Sequence, residues 1–365
     1  MKITIPHMGN VYIAAKILFD SLGIDYVIPP PNNKEALMLG SKYSPEEICL
    51  PFKLMIGNYI AGIEKGADTV LLVSSCGPCR FGEYAGLQAK ILRQLGYNIE
   101  FIVIDPVKST GFREFFNRIG KVGAESKKNN ISRLNSIFTA YTAMSLMDEI
   151  EMMAHELAGY EKNKGECRRL LSSCKKDVFS SNDPANALRI LRSYRNKLKH
   201  LSTDSKRNPL KVAIMGEIYT VIDPFPNLHI EDLLMKAGVS TYRKLTPSWW
   251  VRDTLLKPLG LNSRHLLEAS NEFLPHYIGG HARECIGEAV LASRNKLDGA
   301  IQIFPMGCMP EIVSKSILPA ISRKKNLPVL SLVVDEMTGE AGYMTRIEAF
   351  LDLLERRREN VRVGN

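Results

Sequence analysis

The chain lacks several things that would place it at once. No apolar run approaches the roughly 20 residues that a membrane-spanning helix needs, so no membrane association is expected. No Gly-x-x-x-x-Gly-Lys loop is present, and with it goes the usual phosphate cradle of an ATP-hydrolysing protein. The seven cysteines among 365 residues are too few and too scattered for a disulfide scaffold. No block of like charge occurs. The 48 Lys and Arg against 39 Asp and Glu give a formal charge of +9, but the basic residues are dispersed and no nucleic-acid-binding motif accompanies them. Nucleic acid is therefore not an expected partner. The basic excess suits a docking face for an acidic protein, or solubility alone.

What is present is an ordinary globular composition, 45% hydrophobic and 24% charged, in a length that favours two domains with a core each. Met1-Lys2-Ile3-Thr4-Ile5-Pro6 reads as a first strand and not as a secretory signal, so a cytoplasmic location is expected. Residues 1–125 alternate between strand and helix. Strand signals fall at Lys2–Pro6, Tyr26–Ile28, Thr69–Val73 and Ile99–Ile104, and helical periodicity at Val11–Leu22, Lys53–Lys65 and Gly82–Leu95. Such alternation predicts a parallel sheet with covering helices. Residues 126–208 read as helix without strands. Asn182-Asp183-Pro184 signals a helix start there, and Thr203–Asn208 reads as a linker. The alternation resumes over 209–365, with strands at Leu210–Gly216, Ala300–Phe304 and Val329–Val334 and a closing helix over Arg346–Arg358. The expected fold is α/β: two Rossmann-like parallel-sheet domains related by an internal repeat and bridged by helices.

The cysteines follow the same repeat. Cys49 stands near a helix start in Glu47-Ile48-Cys49-Leu50-Pro51-Phe52-Lys53, and the next strand, Thr69–Val73, runs into Ser75-Cys76-Gly77-Pro78-Cys79. Cys285 stands near a helix start in Gly279-Gly280-His281-Ala282-Arg283-Glu284-Cys285, and the next strand runs into Met306-Gly307-Cys308. Helix starts and the carboxyl ends of strands are where open α/β sheets gather ligands. Two such half-sites facing each other would form a thiolate cage for iron and sulfide.

Other chemistries compete for these residues. Cys76-Gly77-Pro78-Cys79 has the spacing of a thiol–disulfide exchange motif, although Ser74 and Ser75 precede it without the usual tryptophan. Zinc commonly takes two close cysteine pairs, and only one is present. Iron–sulfur clusters accept dispersed thiolates more readily. Five thiolates fit one cubane with a spare, or two linked cubanes with a sixth ligand still to be found. Cys167 and Cys174, seven apart on one helical face, read as structural thiols, with either available as an extra ligand. Lys53, Arg80, Arg283, Glu83 and Glu284 flank the cysteines, and the basic ones would offset cluster charge. His281, on a loop freed by Gly279-Gly280, could donate a proton to a reduced substrate, and Glu284 beside it is a second candidate for proton chemistry. The loop Asp335–Gly342 carries carboxylates after the last strand, or is simply a capped turn.

With these segments in view, together with Arg80-Phe81-Gly82-Glu83-Tyr84, Phe304-Pro305-Met306-Gly307-Cys308 and Asp335-Glu336-Met337-Thr338-Gly339-Glu340-Ala341-Gly342, the chain resembles the 2-hydroxyacyl-CoA dehydratase superfamily. More narrowly, it resembles the activase-related branch that includes the double-cubane cluster proteins. The resemblance implies two Rossmann-like domains with an oxygen-sensitive cluster between them, either [4Fe-4S] or a double-cubane [8Fe-9S]. It implies Cys49, Cys76, Cys79, Cys285 and Cys308 as cluster ligands. It also implies a separate ATP-hydrolysing activase, carrying its own iron–sulfur cluster, that delivers low-potential electrons. The expected function is that of an iron–sulfur reductase component acting on a small molecule or an acyl-CoA. A thiol–disulfide oxidoreductase using Cys76 and Cys79, and a cluster carrier without turnover, are the alternatives. A homodimer is a further expectation, since two-fold dimers are the commonest oligomers.

Overall fold

The computed structural model describes residues 1–74, 80–105, 107–257, 260 and 262–363. The chain divides into two compact units. The first comprises Met1–Glu149, Ser173–Arg195 and Pro247–Asn262, and the second Ile150–Ser172, Asn196–Thr246 and Ser263–Asn365.

The first unit opens with β1 (Ile3–Thr4), α1 (Val11–Leu22), β2 (Tyr26–Val27), α2 (Lys34–Tyr43), α3 (Leu50–Glu64) and β3 (Thr69–Val73). A short 3-10 turn at Arg80–Glu83 leads into α4 (Tyr84–Gln94), β4 (Glu100–Ile104) and α5 (Val107–Ala124), which is kinked at Gly111. The strands form one parallel sheet in the order β2-β1-β3-β4. Ile3, Val70 and Leu72 are buried in it. α3 is apolar around nearly its whole circumference, with twelve of its fifteen residues buried, as befits a helix enclosed by other elements. Against it packs α2, whose own buried residues are Ala36 and Gly40. The two backbones touch: a Cβ on Gly57 would lie 2.0 Å from the Ala36 carbonyl oxygen, and one on Gly40 would lie 1.7 Å from that of Lys53. Glycine is required at both crossings.

Three helices follow, α6 (Asn130–Leu157), α7 (Glu166–Phe179) and α8 (Pro184–Lys199). Asp183 caps α8 by accepting from the Ala185 and Asn186 amides at 3.2 and 3.0 Å, the start that Asn182-Asp183-Pro184 predicts.

The second sheet-bearing stretch runs β5 (Lys211–Gly216), α9 (Ile218–Ile222), α10 (Ile230–Lys236), β6 (Ser240–Arg243), α11 (Pro247–Leu256), α12 (Arg264–Ser270), α13 (Ala282–Arg294), β7 (Gly299–Pro305), α14 (Met309–Lys325), β8 (Val329–Val334) and α15 (Glu340–Val363). Its parallel order is β6-β5-β7-β8. β7 is buried along its full length, the continuous apolar character of a central parallel strand. The two sheets thus share one strand order: the second strand on the outside, then the first, third and fourth. In both, the order reverses between the first and third strands, and the carboxyl ends of those two strands frame the crevice where doubly wound sheets bind ligands. The expected pair of Rossmann-like parallel-sheet domains is the observed architecture.

Candidate functional site

In the first unit, Cys49 immediately precedes α3. Its extended backbone (φ −69°, ψ 154°) makes it the N-cap, and Pro51 occupies the first turn, where its missing N–H costs nothing. The Cys49 side chain makes no capping hydrogen bond to this helix end, and the leading amides and dipole of the helix favour a negative charge there. Cys49 is partly exposed, and its sulfur meets the Tyr84 hydroxyl at the start of α4. Lys53, 2% exposed, donates from Nζ to the Glu46 carbonyl at 3.0 Å, so its ammonium is held beside the entry to α3. Cys76 and Cys79 lie outside the described residues, as does the side chain of Arg80. The residues bounding that segment are tied together: Ser74 Oγ donates to the Gly82 carbonyl at 3.2 Å. Gly82 is two residues from Tyr84, so Cys49 is anchored to the same stretch of backbone that brackets Cys76 and Cys79.

His7, just past β1 on the other side of the crevice, is a residue that cysteine patterning does not find. It is buried, stacked on Tyr12 with ring centroids 4.9 Å apart, and its amide donates to Asn58 Oδ1 on α3 at 2.9 Å. The only signal in the sequence is its position after Ile5-Pro6 at a strand's carboxyl end.

In the second unit, Cys308 is the N-cap of α14 (φ −74°, ψ 98°), with Pro310 in the first turn and again no side-chain cap. Local geometry therefore pairs Cys308 with Cys49, each an N-cap two residues before a proline, whereas chain order pairs Cys49 with Cys285. Cys285 lies one turn into α13, fully buried, its amide donating to the His281 carbonyl at 2.8 Å. The two cysteine-bearing segments abut. Ser314 Oγ on α14 donates to the Ala282 carbonyl at 3.3 Å, and Gly280 packs on the Pro310 ring.

Between them lies an acidic group that motif reading misses. Glu311, 1% exposed, accepts from Gln302 Nε2 of β7 at 2.9 Å and faces the Cys285 thiol. Burial pushes its carboxyl up to about 7, against the lowering contacts of Gln302 and Cys285. Glu288, also buried on α13, is raised well above the ordinary value, chiefly by burial. Glu217, at the carboxyl end of β5, caps α9 by accepting from the Tyr219 and Thr220 amides at 2.9 Å each, and burial raises it too. The Cys285 thiol is pushed up first by burial and then by Glu311 and Glu288.

The flanking residues separate. Arg283 donates to the Leu267 carbonyl at 3.1 Å and to Asn271 Oδ1 at 2.6 Å, which fastens the start of α13 to the end of α12. His281 and Glu284 are half-buried beside Cys285, and Glu284 adds negative charge near Glu288 and Glu311. Cys167 and Cys174 are fully buried. Burial and then Glu161 push the Cys167 thiol far up, an inert setting. Asp335 closes its own turn, accepting from the Met337 amide and the Thr338 hydroxyl.

Cys49 and Cys308 fit thiolate ligation of iron, being accessible and set at helix starts that stabilise negative charge. Cys285 fits only where a cation offsets its carboxylate neighbours. Among the described residues no group of three or more His, Cys, Asp or Glu is placed to hold a metal ion by itself, and no helix is long and apolar enough to cross a membrane.

Residues 2–73 match the family model described as CoA enzyme activase uncharacterised domain (DUF2229). The matched stretch runs from β1 to the end of β3 and contains Cys49, Lys53 and His7. It stops short of Cys76 and of the second unit. No curated protein matches the chain.

Proposed function

We propose that this protein is the electron-accepting component of an activase-linked iron–sulfur system, with Cys49, Cys76, Cys79, Cys285 and Cys308 supplying thiolates to the cluster. The observation that carries the reading is the paired placement of Cys49 and Cys308 as uncapped helix N-caps, in two halves whose sheets have the same strand order. The activase-related match over residues 2–73 supports the link to CoA enzymes and to an ATP-hydrolysing partner. An iron–sulfur cluster, [4Fe-4S] or double-cubane [8Fe-9S], supplies one-electron transfer when bound.

The chain's own residues do the remaining work. Apolar α3 and buried β7 form the closely packed backing from which the partly exposed Cys49 and Cys308 are presented. Lys53 and Arg80 offset negative charge at the first half-site. The imidazolium of His281 delivers a proton to the reduced substrate, a small molecule or an acyl-CoA, and the Glu284 carboxyl beside it passes a proton taken up from solvent to the neutral ring.

Substitution with iron counting tests the ligand set. Under anaerobic purification, Cys49→Ser and Cys308→Ser each lower iron per chain, while Cys167→Ser leaves it unchanged. A dithiol oxidoreductase would instead contain no iron, and would lose its redox titration only on Cys76→Ser or Cys79→Ser.

A further inference from the structure

Tyr84 is 3% exposed, yet its hydroxyl does not lie among apolar atoms alone: it meets the Cys49 sulfur. Its ring is fixed on two sides. Phe52, fully buried on α3, meets it edge-on with centroids 4.9 Å apart and planes at 86°. Phe81, in the 3-10 turn, lies at 5.2 Å and 46°. Phenylalanine would fill such an aromatic slot equally well, and burying a phenol without a partner is costly. The contact with the Cys49 sulfur gives the hydroxyl a use that phenylalanine could not supply. Tyr84 also begins α4 two residues after Gly82, whose carbonyl is tied to Ser74, so the phenol joins the N-cap of α3 to the frame around Cys76 and Cys79.

We propose that Tyr84 is a positioning residue that donates a hydrogen bond to the Cys49 sulfur when that sulfur ligates the cluster. This inference rests on the cluster reading above. A hydrogen bond to a ligand sulfur draws electron density from it and favours the reduced state, which raises the potential. The phenol keeps its proton throughout, and no bond to it is broken.

The test compares Tyr84→Phe with Phe81→Leu in the full chain, purified anaerobically, by iron content and by redox titration followed by EPR. Tyr84→Phe is expected to keep iron at the wild-type level and to shift the midpoint to a more negative potential. Phe81→Leu, which loosens the ring but keeps the hydroxyl, is expected to leave the midpoint near wild type. Equal iron with an unchanged midpoint in Tyr84→Phe overturns the inference and spares the cluster reading, and so does an equal shift in both variants. A wild-type chain without iron overturns both.

Discussion

A Cβ on Gly280 would lie 2.8 Å from Cγ of Pro310. This contact seats the loop before Cys285 against the helix that Cys308 caps. Gly280 also has φ +53°, a conformation that other residues adopt only under strain. Gly280→Ala is therefore expected to destabilise the second unit by about 1–3 kcal/mol, seen as a lower urea midpoint, and to reduce bound iron. An unchanged midpoint would show that the loop yields without cost.

In the first unit, the α2–α3 contact makes a parallel case. Gly57→Ala would drive a methyl into the Ala36 carbonyl, 2.0 Å away. Backbone cannot step aside as a flexible side chain can, so a loss of about 1–3 kcal/mol is expected. Calorimetry or urea unfolding reads it directly. Gly86, whose added Cβ would meet nothing within 4 Å, serves as the control, and Gly86→Ala should not lower stability.

A buried charge network in the second unit sets a pH dependence. Arg243 reaches Glu151 at 2.6 Å and Glu231 at 3.3 Å, and His155 meets Glu231 at 3.0 Å. Burial alone would raise the Glu231 carboxyl, but Arg243 and His155 hold it below the usual 4.5. Its contribution is therefore present above the unfolded value and is lost as pH falls through the folded one. Arg243→Met removes the guanidinium from Glu151 and leaves Glu231 with His155, and should cost about 3–5 kcal/mol at neutral pH. The variant's stability should then fall less steeply than wild type below pH 4.5. Parallel pH profiles for the two proteins would mean that Arg243 does not set the pH dependence.

Glu217 works with the opposite sign. Burial raises its carboxyl above 4.5, so its stabilising neutral form is present at low pH and is lost as pH climbs through the folded value. Glu217→Gln keeps an acceptor for the α9 amides and removes the charge. Urea midpoints of the variant and wild type should coincide near pH 4 and separate at pH 8, with the variant the more stable. A variant less stable at pH 8 would mean that the carboxylate's cap is worth more than its desolvation costs.

The strands were legible because they are apolar runs closed by turn residues. Thr69–Val73 and Val329–Val334 are found at their predicted bounds, as is the helix Val11–Leu22. β6 was not legible: Ser240–Arg243 is four residues with a polar face, and its burial comes from tertiary neighbours. α2 escaped for a related reason. It buries only Ala36 and Gly40, so no apolar stripe announces it, and glycine, ordinarily a helix breaker, is what lets it pack. α3 starts at Leu50 and not at Lys53 because Cys49 takes the cap and Pro51 fits the first turn. At the site, the cysteines stand out by residue type. Glu311, Glu288 and Glu217 do not, since an isolated glutamate in a sequence reads as solvated surface, and only the fold buries the first two and sets the third, partly buried, as the cap of α9.

Whether these cysteines hold iron, as proposed, is decided by composition. Iron and acid-labile sulfide are counted per chain after anaerobic purification, with EPR recorded after dithionite reduction. About four irons per chain are expected for one cubane, or about eight for two, with matching sulfide and a reduced-cluster signal. Stoichiometric zinc, or a colourless chain with neither metal nor sulfide, would contradict the proposal.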